Sequence, residues 1–318
     1  MRVLVTGAAG FVGQHLIREL LVEGATIFGA TLGGIPPDGG TLSSSERLAV
    51  GWLPVDITDV DTLQAAVRRV EPERVYHLAG QSSVARSFRE PLETWDVNAT
   101  GTLNLLEVLR HLDTDSLRAL IVSSAEVYGP VPEDEQPIRE ERPLRPASPY
   151  AASKAAAEMV GIEASTKLPS GVVVARSFNH TGPGQDPSFA LPGFARQLAE
   201  IRAGEREAVL RVGNLEVWRD FLDVRDVARA YLTLMEKGAS GTVYNVCSGE
   251  APKLEDLVVR LVQLSGAGAR VEVEAARFRP VDVRVLRGCA DRLTQLGWHR
   301  RFPLDETLHD LLAEYGLP

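Results

Sequence analysis

The chain opens with an apolar strand pattern that runs into three evenly spaced glycines, and no other feature constrains the fold so strongly. Val3-Leu4-Val5 leads into Thr6-Gly7-Ala8-Ala9-Gly10-Phe11-Val12-Gly13, after which Leu16, Leu20 and Leu21 recur at helical spacing over residues 14–23. A Gly-x-x-Gly-x-x-Gly turn between a strand and a helix is suited to a dinucleotide pyrophosphate. Gly7 permits the tight turn, Gly10 lets main chain approach the phosphates, and Gly13 lets the helix pack close to the strand. The helix N-terminus adds unpaired N–H groups and partial positive charge, so Phe11 and Val12 join the glycines as expected cofactor contacts.

Beyond this turn, β-rich runs at 26–31, 51–55, 74–79, 117–124 and 172–178 alternate with helical patterns at 58–70, 98–112 and 148–168. That order predicts parallel strands joined by helical crossovers. Leu120-Ile121-Val122 and Val172-Val173-Val174 are continuous apolar runs, as strands buried on both faces require. The expected fold class is therefore α/β, a Rossmann-like doubly wound parallel sheet. After Phe178 the Gly- and Pro-rich stretch 179–185 reads as a loop, and a helix follows near 194–203. The sheet pattern resumes with a helix at 224–237 and a strand at 242–246, and a mixed stretch then runs to Pro318. A smaller, interleaved C-terminal substrate domain is expected. Residues 1–178 plus about 219–247 would form the dinucleotide-binding domain, and about 179–218 plus 248–318 the other.

Composition removes several classes of function. With 34 Lys+Arg against 43 Asp+Glu the net charge is −9, so neither nucleic acid nor an anionic membrane surface is an expected partner. No apolar run approaches the ~20 residues of a membrane span, and no charged leader precedes the first strand, so a cytoplasmic protein is expected. Cys247 and Cys289 lack metal-site spacing, the six histidines are scattered, and no metal is expected.

Candidate chemistry lies at three further places. A strongly NAD-selective fold carries an acid at the end of its second strand, where this chain has Phe28-Gly29-Ala30-Thr31. NADP(H) with weak selectivity over NAD(H) is expected, with Thr31 at the ribose. Asp56 could accept from the adenine amino group or cap a helix. Tyr150 and Lys154 stand four apart at a helix start, which stacks them on one face. Lys154 is expected to lower the Tyr150 phenol pKa, so that the phenol exchanges a proton with a carbonyl or alcohol oxygen. Ser124, at the end of the 117–124 strand, could hydrogen-bond that oxygen.

Together, the Gly7/Gly10/Gly13 turn, Asp56, His77-Leu78-Ala79-Gly80, Asn98, Ser123-Ser124-Ala125-Glu126-Val127-Tyr128-Gly129 and Tyr150/Lys154 resemble the extended short-chain dehydrogenase/reductase family across essentially the whole chain. The resemblance implies a catalytic set of Ser124, Tyr150 and Lys154, with Glu126 a further candidate base, and dinucleotide contacts that include Ile57, Leu78, Ala79, Gly80, Tyr150 and Lys154. The runs 176–185 and 212–227, with Arg279-Pro280 and Leu296-Gly297-Trp298, resemble the GDP-4-keto-6-deoxy-D-mannose reductases within that family. Those make GDP-D-rhamnose with NAD(P)H. A GDP-sugar substrate is thereby implied, met by Gln81, Ser124, Glu126, Asn179, Asn214, Arg219 and Arg279. The two arginines suit a diphosphate because guanidinium donates two parallel hydrogen bonds. Ala125 stands where dTDP-glucose-type dehydratases carry an Asp before the Glu, which disfavours that type. GDP-mannose 4,6-dehydratase, a sugar-nucleotide 4-epimerase and a non-catalytic dinucleotide sensor are the alternatives. By family analogy the 98–112 and 148–168 helices would pair with those of a second copy in a homodimer.

Overall fold

The computed structural model describes residues 1–34, 40–278 and 283–318. Six strands, β1 (Arg2–Thr6), β2 (Thr26–Thr31), β3 (Gly51–Pro54), β4 (Arg74–His77), β5 (Arg118–Ser124) and β6 (Val172–Ser177), join the edge strand Val243–Val246 in one sheet. Its order is edge strand, β6, β5, β4, β1, β2, β3, and every pairing is parallel. The order reverses between β1 and β4. In an open parallel sheet a ligand crevice forms outside the carboxyl ends of the strands at that reversal.

Both faces are covered, as the apolar runs require. Val3, Val5, Leu120 and Val173 pack on one face with Leu16, Leu20, Val227 and Leu234 of the helices Phe11–Val22 and Val224–Lys237. Leu4, Ile121 and Val172 meet Leu63, Val67, Leu105 and Ala164 of the helices Val60–Val70, Gly101–Arg110 and Pro149–Ala164 on the other. Each large side chain buried there contributes roughly 1.5–3 kcal/mol.

A separate core lies beyond this sandwich. Leu191, Phe194, Leu198, Leu210, Val212, Leu254, Leu257, Leu261, Leu308 and Leu311 cluster there, drawn from three helices, Ala190–Arg202, Leu254–Ser265 and Leu304–Glu314, and from the strand Val209–Val212.

Several elements depart from the sequence expectation. The 179–185 stretch is not wholly loop, because β7 (Asn179–Thr181) pairs in parallel with the strand Phe221–Asp223. The first helix begins at Phe11 rather than Gln14, since Gly10 already has the extended conformation of a helix cap. The helix expected over 98–112 is preceded by a π-helical turn, Asp96–Thr100, that shifts its facing residues. The final mixed stretch contains the two long helices named above.

Candidate active site

The crevice at the strand reversal is shaped by glycine. Gly7 has φ +68°, and a Cβ there would come within 2.7 Å of the Ala79 nitrogen, so the turn after β1 and the one after β4 are in contact. A Cβ on Gly13 would stand 2.5 Å from the Gly7 carbonyl oxygen. Gly10, by contrast, is exposed, and no side chain caps the helix that starts at Phe11. The arrangement fits a dinucleotide pyrophosphate: donors at a helix start, bare main chain in front of them, and no side chain between. Phe11 stacks on His180 with ring centroids 6.1 Å apart, and Val12 is half-buried.

A buried string of hydrogen bonds fixes the two turns below this cradle. The Ala79 N–H donates to Thr6 Oγ1 at 3.3 Å, Thr6 Oγ1 lies 2.7 Å from His77 Nδ1, His77 Nε2 lies 3.0 Å from Thr102 Oγ1, and the Thr102 hydroxyl donates to the Asn98 carbonyl at 2.6 Å. Donor direction along the string assigns the proton of His77 to Nε2. Burial, helped by the nearby Lys154 charge, lowers the imidazole pKa to about 3, so the ring is neutral.

At the ribose end, Thr31 closes β2 and its hydroxyl is buried without a partner among the described residues. Ala30 is buried, and no carboxylate stands in this strand. Asp56 accepts from the Thr58 N–H and hydroxyl at 2.9 and 2.7 Å through Oδ1, while the helix Val60–Val70 is capped by Asp59 instead. Ile57 is buried, and Leu78 and Ala79 are half-buried on the facing turn.

Tyr150 and Lys154 project from the first two turns of the helix Pro149–Ala164, whose start is fixed by Pro149 and by Ser148 accepting from the Ala151 N–H. Both are at least nine-tenths buried. Lys154 Nζ donates to the Val122 carbonyl at 3.0 Å. Gly80 makes room for it, since a Cβ there would lie 3.2 Å from Nζ. Desolvation lowers the Lys154 pKa to about 8. The Tyr150 phenol moves opposite to expectation. Burial pushes it up to about 12, a hydrogen bond with Ser124 pulls it down, Glu126 raises it, and Lys154 is not among its perturbers. The phenol is therefore a proton donor at neutral pH.

Ser124 ends β5 and its Oγ accepts the Glu126 N–H at 3.2 Å, which places Ser124, Glu126 and Tyr150 together. Asn98, in the π-helical turn, couples this cluster to the cofactor side. Its Oδ1 accepts from the Gln81 N–H at 2.8 Å, and its Nδ2 donates to the Gln81 carbonyl and to Ser153 Oγ, each at 3.0 Å. Gln81 Nε2 itself donates to the Ser83 carbonyl and Thr94 Oγ1, so a sugar contact donated by this nitrogen would displace one of those bonds.

The remaining expected substrate residues are spread over the second core and its border. Asn179 is half-buried in β7. Asn214 accepts from the Glu216 N–H at 2.9 Å. Arg219 is 7% exposed and donates to the Trp218 and Arg284 carbonyls, at 2.9 and 3.2 Å. Arg279 lies outside the described residues. Among the described residues no group of His, Cys, Asp and Glu could hold a metal ion, and no helix is long and apolar enough to cross a membrane.

Comparison with known proteins agrees with this fold. GDP-6-deoxy-D-mannose reductase of Pseudomonas aeruginosa is 37% identical over 319 residues, covering 99% of this chain and 97% of that protein. A solved structure of RMD from P. aeruginosa complexed with NADPH has a TM-score of 0.83 at 35% identity, with 99% of both chains covered. Thermus thermophilus UDP-glucose 4-epimerase in complex with NAD superposes with a TM-score of 0.86 at 30% identity, again over 99% of both chains. The family model described as GDP-mannose 4,6 dehydratase matches residues 4–311, and the chain belongs to that family.

Proposed function

We propose that this protein is an NAD(P)H-dependent oxidoreductase that reduces the 4-keto group of GDP-4-keto-6-deoxy-D-mannose to GDP-D-rhamnose. The observation that carries the reading is the buried Tyr150 phenol, protonated and hydrogen-bonded to Ser124 at the edge of a glycine cradle, in a chain 37% identical to a GDP-6-deoxy-D-mannose reductase. Bound NAD(P)H supplies the hydride. Tyr150 gives its proton to the carbonyl oxygen as the hydride reaches C4, and Ser124 holds that oxygen. Lys154, charged below about pH 8 and set against Gly80, would bind the dinucleotide. The Gly7–Gly13 turn binds the pyrophosphate, Leu78–Gly80 lines the dinucleotide, and Asp56 and Ile57 flank its adenine. The absence of an acid after Ala30 supports NADP(H) as the preferred reductant with NAD(H) accepted.

The sugar nucleotide would occupy the lobe formed by about 179–218 and 248–318, with Asn179, Asn214 and Arg219 toward its nucleotide and Glu126 toward its sugar. Exposed Leu92, Trp95, Leu103 and Met159 lie on the helices Pro91–Trp95, Gly101–Arg110 and Pro149–Ala164, a surface suited to a second copy in a homodimer. Two buried free cysteines accord with a reducing cytoplasm.

Product identification tests the reading. Purified protein with NADPH and GDP-4-keto-6-deoxy-D-mannose is expected to give GDP-D-rhamnose with stoichiometric NADPH oxidation. Consumption of GDP-mannose alone, with loss of water, would instead assign a dehydratase, for which Glu126 beside Ser124 is the available base.

A further inference from the structure

Ser124 and Tyr150 reach the site from different elements that pack on one another, and a buried side-chain network joins those elements as well. Ser124 ends β5 and leads into the 3-10 turn Ala125–Tyr128, whereas Tyr150 stands on the helix Pro149–Ala164. We infer that Arg176 is the positioning residue that fixes the Ser124–Tyr150 separation, gripping the serine's turn through Tyr128 and the tyrosine's helix through Glu158. The inference rests on the catalytic roles proposed above.

Arg176 lies in β6 with its side chain 6% exposed. Its Nε donates to Glu158 Oε2 at 2.9 Å, and its Nη2 donates to Glu158 Oε1. Glu158 is fully buried and stands eight residues after Tyr150, two turns along the same helix. In the other direction, Arg176 Nη1 donates to the Tyr128 hydroxyl at 2.9 Å and to the Glu140 carbonyl at 3.0 Å. The guanidinium also lies 4.8 Å from the Tyr128 ring centroid. A planar fork of donors can serve both partners at once, which a lysine ammonium on its flexible stem cannot do with the same geometry.

Tyr128 closes the turn that Ser124 opens. At the front of the turn Ser124 Oγ takes the Glu126 N–H, and at the back the Gly129 N–H reaches the Glu126 carbonyl at 3.1 Å. The Tyr128 hydroxyl then donates to Asn245 Oδ1 at 2.7 Å, and burial raises its pKa, so it remains a donor. Asn245 is itself fixed by the Ile138 carbonyl at 2.9 Å and the Cys289 carbonyl at 3.3 Å. A displacement of the Tyr128 ring would therefore move the turn that carries Ser124 and Glu126. None of these four side chains need touch substrate or cofactor to do this.

Tyr128→Phe cuts one arm while keeping the ring under the guanidinium, and Arg176→Lys removes the fork while keeping the charge. Each is expected to lower kcat about tenfold or more, with the sugar-nucleotide KM and the NADPH Kd within about twofold of wild type. In a Tyr150→Phe background, Tyr128→Phe is expected to cost little further turnover, because the separation it disturbs no longer serves a proton transfer. Should Arg176→Lys fail to fold, Asn245→Ser removes the acceptor of the Tyr128 hydroxyl and gives the same reading. A kcat within twofold of wild type in folded Tyr128→Phe would overturn the inference, as would a loss that only tracks the folded fraction, or one that multiplies fully with Tyr150→Phe. Near wild-type turnover in Tyr150→Phe alone would overturn the catalytic assignment instead.

Discussion

Tyr150 is protonated at neutral pH, as a proton donor to a carbonyl oxygen must be. A phenol pushed up to about 12 by burial is protonated at neutral pH, so it holds the proton that a developing alkoxide needs. Tyr150→Phe is expected to lower reductive turnover by about 10²–10⁴, the usual contribution of a positioned general acid, with the sugar-nucleotide KM little changed. Turnover near wild type would rule the assignment out. Lys154 sets the pH range. Its folded-state pKa of about 8 means that it is charged on the acid side and neutral above. Reductive kcat/KM should therefore hold below that value and decline as pH rises through about 8, and the residual activity of Lys154→Met should lack this limb. An identical limb in the variant would assign it to another group. The Tyr150/Lys154 pair was legible in the sequence because helix geometry forces residues four apart onto one face. The direction of the phenol's shift was not, since it depends on burial and on Lys154 being turned to the Val122 carbonyl. Asn98 illustrates the same limit: its Ser153 partner is 55 residues away, and no local spacing announces the bond.

At the scale of elements, the turn after β1 is where sequence and structure agree most fully, because its glycines are needed for steric reasons that operate locally. A methyl at Gly13 would meet two main-chain oxygens, of Gly7 and Ala8, at 2.5 and 2.7 Å, and neither can move without moving the cradle. Gly13→Ala is expected to weaken NADPH binding at least tenfold, while the far-UV spectrum of the sheet and its helices persists. Overpacking of this kind costs about 1–3 kcal/mol, enough for that loss and too little to unfold a sheet buried on both faces. Titration of NADPH fluorescence measures it, and an unchanged Kd would show that the close approach of helix and strand is not required. The doubly buried strands were equally legible, since β5 and β6 are apolar at successive positions. Less so were β7 and its partner Phe221–Asp223, which at three residues each are too short for a period to show. The helices Leu254–Ser265 and Leu304–Glu314 did carry a signal. Leu254, Leu257, Val258 and Leu261 follow helical spacing, as do Leu304, Leu308, Leu311 and Leu312.

Across the whole molecule, the proposed function assigns two phosphate-binding tasks to two separate cores, and that division can be tested directly. The dinucleotide cradle is built on the strand reversal of the large sheet, while Arg219 sits on the short strand Trp218–Arg219 beside the second core. Arg219 already donates to the Trp218 and Arg284 carbonyls, so its guanidinium is braced as well as charged. Arg219→Lys keeps the charge and the apolar stem but loses the fork that serves carbonyls and a phosphate together. A charge-assisted hydrogen bond contributes about 1.5–3 kcal/mol, so the sugar-nucleotide KM is expected to rise about ten- to a hundredfold. NADPH affinity should stay within twofold, because the Gly7–Gly13 turn is braced by Ala30 of β2 and by Leu78 and Ala79 of the turn after β4, all in the large sheet's part of the chain. If NADPH binding weakened instead and the affinity for GDP were unaltered, the allocation of the two phosphate groups to the two cores would be reversed. The sequence could indicate two such arginines but not their bracing, since the carbonyl of Arg284 reaches Arg219 from 65 residues away.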